Sequence, residues 1–97
     1  MDIQSIVNQK NVHIIDVREV SEFESGHIDV ALNMPLSTFR DYIDQIKAME
    51  GPKVLYCRSG NRSGQAVKFL SDLGVTDIYN GGSLSLMSAY LLPHYSN

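Results

Sequence analysis

The sequence predicts an α/β domain in which a parallel sheet is covered by helices on both faces. Short apolar, β-branched runs alternate with segments of helical periodicity, and Gly or Pro punctuates the joins between them. The chain's one cysteine, Cys57, ends such a run where a strand hands over to a helix.

Taken in order, Ile3, Ile6 and Val7 fit one face of a short opening helix. Residues 12–17, Val-His-Ile-Ile-Asp-Val, form an apolar run that reads as a buried strand. Residues 31–34 are a shorter strand, stopped by Pro35. Ser37 is placed to cap a helix whose face carries Phe39, Ile43, Ile46 and Met49, ended by Gly51-Pro52. Residues 53–56 are the next strand, followed by Cys57 and a turn at Ser59-Gly60-Asn61. Ala66, Leu70 and Leu73 mark a helix face, with Gly74 as its stop. Residues 75–79 are the last strand, and Gly81-Gly82 leads to a final helix with Leu84, Met87 and Leu91. Without repeats, low-complexity stretches or linkers, residues 1–97 read as a single domain.

Composition narrows the function. A chain of 97 residues, 43% hydrophobic and 20% charged, is not a disordered one. The net charge of −3 argues against nucleic acid or membrane as a partner of the whole surface. No apolar run approaches the roughly 20 residues of a membrane span, and the start lacks the pattern of a signal peptide. One cysteine excludes an internal disulfide and a multi-thiolate zinc site. A reduced, cytoplasmic protein is expected, with no metal. His13, inside an apolar strand, reads as a structural histidine, and His94 belongs to the tail.

Charge is unevenly placed. From residue 51 to 71 the chain carries Lys53, Arg58, Arg62 and Lys68 and no carboxylate. Between Asp16 and Asp29, five carboxylates face Arg18 alone. A small anion is drawn to the segment around Cys57. Lys53 and Lys68 are expected to solvate surface, whereas Arg58 and Arg62 flank a tight loop and are expected to serve a ligand.

That loop, Cys57-Arg58-Ser59-Gly60-Asn61-Arg62-Ser63, is the candidate site. At the carboxyl end of a parallel strand, before a helix N-terminus, a thiol meets unpaired N–H groups and the positive end of a dipole. Both lower its pKa and make it nucleophilic. Gly60 permits a left-handed turn that folds peptide N–H groups inward. Arg58 can reach a bound anion, Arg62 can brace the turn, and Ser63 can cap the helix or donate to the thiolate.

The pattern Cys57, Gly60, Arg62, Ser63 resembles the active-site loop of single-domain rhodanese-like sulfurtransferases. The resemblance extends to Ile15-Asp16-Val17-Arg18-Glu19, Glu22-Phe23, Gly26-His27-Ile28, Ala31, Asn33 and Pro35, and to Gly81-Gly82. Departures fall at Val20 (usually proline), Val30 (often glycine) and Leu86 (commonly tryptophan), all outside the loop. The resemblance implies a rhodanese-like fold with a central five-stranded parallel sheet and a cysteine cycling between thiolate and persulfide. It implies a small anionic sulfur donor such as thiosulfate, a cyanide or thiol acceptor, and no cofactor. Catalysis falls to Cys57, and substrate binding to Arg58, Ser59, Gly60, Asn61, Arg62 and Ser63. Asp16, Arg18 and His27 are expected to tie loops together.

Three other readings use the same thiol. A phosphatase or arsenate reductase resembles Cys-x5-Arg, one residue longer than the spacing here, and no aspartate is an obvious general acid. A relay module would deliver the persulfide to one docked protein. A redox sensor would form sulfenic acid, and the missing resolving cysteine counts against it.

Overall fold

The computed structural model describes residues 2–91. Five helices and four strands alternate: α1 (Ile3–Val7), β1 (His13–Asp16), α2 (Val20–Glu24), β2 (Leu32–Asn33), α3 (Ile43–Lys47), β3 (Lys53–Cys57), α4 (Asn61–Asp72), β4 (Ile78–Ser83) and α5 (Leu84–Tyr90). A 3-10 segment, Leu36–Tyr42, runs into α3. His94 lies outside the described residues.

All strands are parallel, in the order β2-β1-β3-β4. The resemblance implied five strands. Among the described residues there are four, because α1 and its following turn occupy the chain before β1 and every other connection is helix or turn. These four are the runs read from the sequence.

The pleat divides the core. Ile15, Leu55 and Cys57 point to the layer holding Phe39, Ile46, Ala66 and Leu70, on the 3-10 segment, α3 and α4. Ile14, Val54 and Tyr56 point to the layer holding Ile6, Val7 and Met87, on α1 and α5. Every residue of β3 is buried, since neighbouring strands flank it and helices cover both faces. Lys53 is therefore not the surface lysine expected: it is buried, with Nζ donating to the Gly51 carbonyl at 2.8 Å.

Three element boundaries differ from the sequence reading. Ser37 caps no helix, because its hydroxyl donates to the Glu19 carboxylate and Thr38 breaks the helical path at φ −121°, ψ 23°. The last strand runs through Gly81-Gly82 to Ser83, where pairing with β3 overrides the low strand propensity of glycine. The short α2 escaped notice because none of its five residues is buried, so no apolar face marks it.

The chain goes from β1 outward to β2, then crosses back to β3 on the other side of β1. The order thus reverses between β1 and β3, and sheets of this kind bind ligands beyond the carboxyl ends of strands at such a reversal. Cys57 ends β3 there, and Asp16 ends β1.

Candidate active site

Cys57 turns toward α4 and is wholly buried, while Arg58 and Ser59 after it are exposed. Gly60 takes φ +93°, and a Cβ there would meet the Gly82 Cα at 3.2 Å, so the turn requires glycine twice over. This conformation aims the Gly60 N–H at Cys57 Sγ, 3.0 Å away. From the first turn of α4, the Ser63 N–H and Oγ each lie 3.5 Å from the same sulfur. Burial pushes the thiol pKa up. Hydrogen bonding at Ser63, together with the N–H groups of Ser59 and Gly60, outweighs burial and brings it from 9.0 to about 7.

The loop's polar residues have different surroundings. Arg58 follows Cys57 in the loop, is exposed, and makes no ion pair among the described residues. Arg62 does not grip loop carbonyls; it forms a two-pronged pair with Glu22 of α2, at 2.7 and 3.0 Å. Hydrogen bonding from Arg62, joined by the Glu19 N–H, holds the Glu22 carboxyl down at about 2. Asn61, exposed, opens α4. Gly60 occupies the cap position without a side-chain cap, so Ser63 is not the helix cap. Its hydroxyl instead lies 2.7 Å from Asn80 Oδ1.

Asp16 and Arg18 form a second two-pronged pair, almost fully buried, with Arg18 Nη2 to Asp16 Oδ2 at 2.7 Å. Arg18 also donates to the Gly26 carbonyl at 2.7 Å and lies 5.8 Å over the Tyr56 ring. The Tyr56 hydroxyl accepts the Ile28 N–H, and burial pushes that phenol's pKa up. Asn33 closes the corner by donating to the carbonyls of Asp16 and Arg18. His27 does not join separate loops: it stacks on Phe23 at 3.6 Å and donates to the Phe23 carbonyl, within its own turn. His13 donates to the Glu50 carbonyl.

Sequence reasoning missed Glu22 and Asn80 as members of the loop's surroundings. The acidic excess of residues 16–29 was a signal for Glu22, because it complements the basic segment holding Arg62. Asn80 was marked only by being a polar residue just before Gly81-Gly82. Among the described residues no group of three His, Cys, Asp or Glu could hold a metal. A groove of about 500 Å³, lined by Leu36, Phe39, Arg40, Gln65 and Phe69, runs beside the 3-10 segment and α4 and does not include the sulfur.

A buried sulfur at a strand end, met by N–H groups of a left-handed turn and a helix start, defines a thiol-bearing domain built on a parallel α/β sheet. Residues 2–86 match the model of the rhodanese-like domain, and the chain belongs to that family. It is 44% identical over 71 residues to the uncharacterized protein YqhL of Bacillus subtilis (strain 168), covering 73% of this chain and 56% of that one. It is 36% identical over 73 residues to thiosulfate sulfurtransferase PspE of Escherichia coli (strain K12), covering 74% and 70% respectively. The solved structure of a rhodanese with anions from E. coli superposes with a TM-score of 0.69 at 33% identity, covering 76% of this chain and 88% of that one.

Proposed function

We propose that this chain transfers sulfane sulfur through a persulfide on Cys57. The observation that carries the reading is the Cys57 sulfur receiving the Gly60 N–H at 3.0 Å, with the exposed Arg58 next in the chain. The relative named thiosulfate sulfurtransferase supports the same chemistry.

In the first step the thiolate attacks the outer sulfur of thiosulfate. A bond forms between that sulfur and Sγ, the sulfur–sulfur bond of thiosulfate breaks, and its electron pair leaves with sulfite. The N–H groups of Gly60 and Ser63 then hold the persulfide anion. In the second step cyanide or a thiolate attacks the outer sulfur, and the electron pair returns to Sγ, regenerating the thiolate. Splitting one transfer in two predicts ping-pong kinetics. Arg58 meets the anionic donor, and Ser59, Asn61, Arg62 and Ser63 complete the loop that holds it. Asp16 and Arg18 support the loops around it, and His27 braces the turn it shares with Phe23. The reaction calls for no cofactor. We place it in the reducing cytoplasm, where a lone thiol persists, in a single domain spanning residues 1–97.

Intact mass spectrometry tests the reading. Thiosulfate is expected to add one sulfur atom to the folded protein, cyanide to remove it, and Cys57→Ser to abolish the addition. An unchanged mass with thiosulfate and with small persulfides, on folded protein, refutes it.

A further inference from the structure

Asn80 touches the loop at two points and its own strand at a third. Its side chain bonds the Gly60 carbonyl at 3.0 Å, the Gly82 N–H at 3.0 Å and the Ser63 hydroxyl at 2.7 Å. These partners fix which way the amide points. The Gly82 N–H can only donate, so it faces Oδ1, and the Gly60 carbonyl can only accept, so it faces Nδ2. The atom facing Ser63 is therefore an acceptor, and the one proton of that hydroxyl lies between Oγ and Oδ1. At 2.7 Å this is a full-strength O–H···O bond. Oγ lies 3.5 Å from Cys57 Sγ. It faces the sulfur with lone pairs, which can accept from a neutral S–H and offer nothing to a thiolate.

We propose that Asn80 is a positioning residue for Cys57: it turns the Ser63 hydroxyl proton away from the sulfur and leaves the thiolate to backbone N–H groups alone. The strand geometry puts it there. Between Leu55 and Tyr56 the pairing of β3 with β4 shifts register, so Asn80 stands opposite Leu55 and Gly82 opposite Tyr56, with Gly81 bulged between them. A Cβ at Gly81 would lie 2.6 Å from Met87 Sδ and 2.8 Å from Val54 Cγ1, so the bulge depends on glycine. The charged groups around the sulfur are on other elements. Arg62 of α4 is held by Glu22 of α2 and interacts electrostatically with the sulfur and with Glu19; Arg58 follows the cysteine in the loop. Asp16, at the end of β1, and Arg18, just after it, are paired with each other. β4 adds one titratable group, Tyr79, whose hydroxyl bonds Asp77. A less tightly held thiolate keeps more intrinsic nucleophilicity, which suits a sulfur that must both accept and release.

The consequence for sulfur transfer rests on reading Cys57 as the nucleophile, but the test reads the thiol alone. The rate of alkylation by iodoacetamide is followed against pH for wild type, Ser63→Ala, Asn80→Ala and the double variant, with circular dichroism to establish folding. Ser63→Ala is expected to produce no upward shift of the inflection while Asn80 is present. In the Asn80→Ala background the freed hydroxyl turns to the sulfur, so Ser63→Ala there raises the inflection by about half a pH unit or more. An equal rise in both backgrounds overturns the proposal. If Asn80→Ala does not fold, Ser63→Ala alone decides, because any rise beyond error shows the hydroxyl donating to sulfur in the wild type. Failure of sulfur loading with this pattern intact would remove the transfer reading and leave the role of Asn80 standing.

Discussion

Replacing Glu22 with Gln tests whether the active loop is tethered from α2. The amide oxygen can still accept the Glu19 N–H that the carboxylate accepts at 3.0 Å, so the cap survives while the charge facing Arg62 is lost. Hydrogen bonding to Arg62 holds the Glu22 carboxyl at about 2 rather than 4.5. At face value that depression amounts to about 3 kcal/mol of folding stability. Both side chains are about a third exposed, at 31% and 32%, so solvent screening reduces the figure. A surface pair of good two-pronged geometry is worth about 0.5–1 kcal/mol. For a domain of this size, about 1 kcal/mol corresponds to roughly 4–8 °C in Tm. Because the folded-state pKa is depressed, the contribution is complete above about pH 4.5 and is lost as pH falls from there through about 2. Urea denaturation of wild type and Glu22→Gln at pH 7, 5, 4 and 3 is the assay. The two are expected to differ at pH 7 and 5 and to converge toward pH 3, and Arg62→Ala is expected to abolish the difference. A gap of equal size at pH 7 and pH 3, or one that persists with Arg62 removed, would refute the reasoning.

Asp16→Ala is expected to cost about 3–5 kcal/mol in chemical denaturation, because it strands the almost fully buried Arg18 without its partner; a loss below about 1 kcal/mol would show that Arg18 finds water instead. Arg58→Ala should weaken use of thiosulfate by about 1.5–3 kcal/mol in kcat/KM and spare neutral persulfide donors, since the lost group is a charge free to meet an anion. Arg62→Lys should impair both donors alike, because an ammonium cannot reproduce the fork that meets both oxygens of Glu22. Rates of each variant with the two donors check this pair, and equal proportional losses for Arg58→Ala on both donors would refute the division of labour.

The layered fold was legible because its signals are local. The runs at residues 12–17 and 53–56 are too apolar for any place but a covered sheet, and Gly60 and Gly74, at φ +93° and +90°, stand where the chain must turn left-handed. The candidate site was legible for the same reason: a cysteine, two arginines and a glycine lie within six residues. What stayed hidden depends on contacts between distant segments. Ser37 looks like a helix cap until Glu19, eighteen positions earlier, takes its hydroxyl. Lys53 looks like a surface charge until β1 and β4, distant in sequence, flank its strand and bury it. Arg62 finds Glu22 across 40 positions, and Ser63 finds Asn80 across 17. Periodicity and propensity describe neither event, since both follow from strand order.

The bulge at Gly81 has a second effect, on assembly. Among the described residues β4 is paired on one side only, so its other side is the open edge of the sheet. An open row of N–H and C=O groups invites a strand from another molecule, and flat, regular edges are the ones that accept it. Here the row is interrupted midway: Gly81 drops out of step, Gly82 sits at φ +87°, and α5 begins two residues later. At the opposite margin β2 offers two residues, Leu32 and Asn33, too few to template anything. The irregularity that brings Asn80 to the sulfur thus also discourages the sheet from growing, and straightening β4 to improve its pairing would expose the molecule to edge-to-edge aggregation.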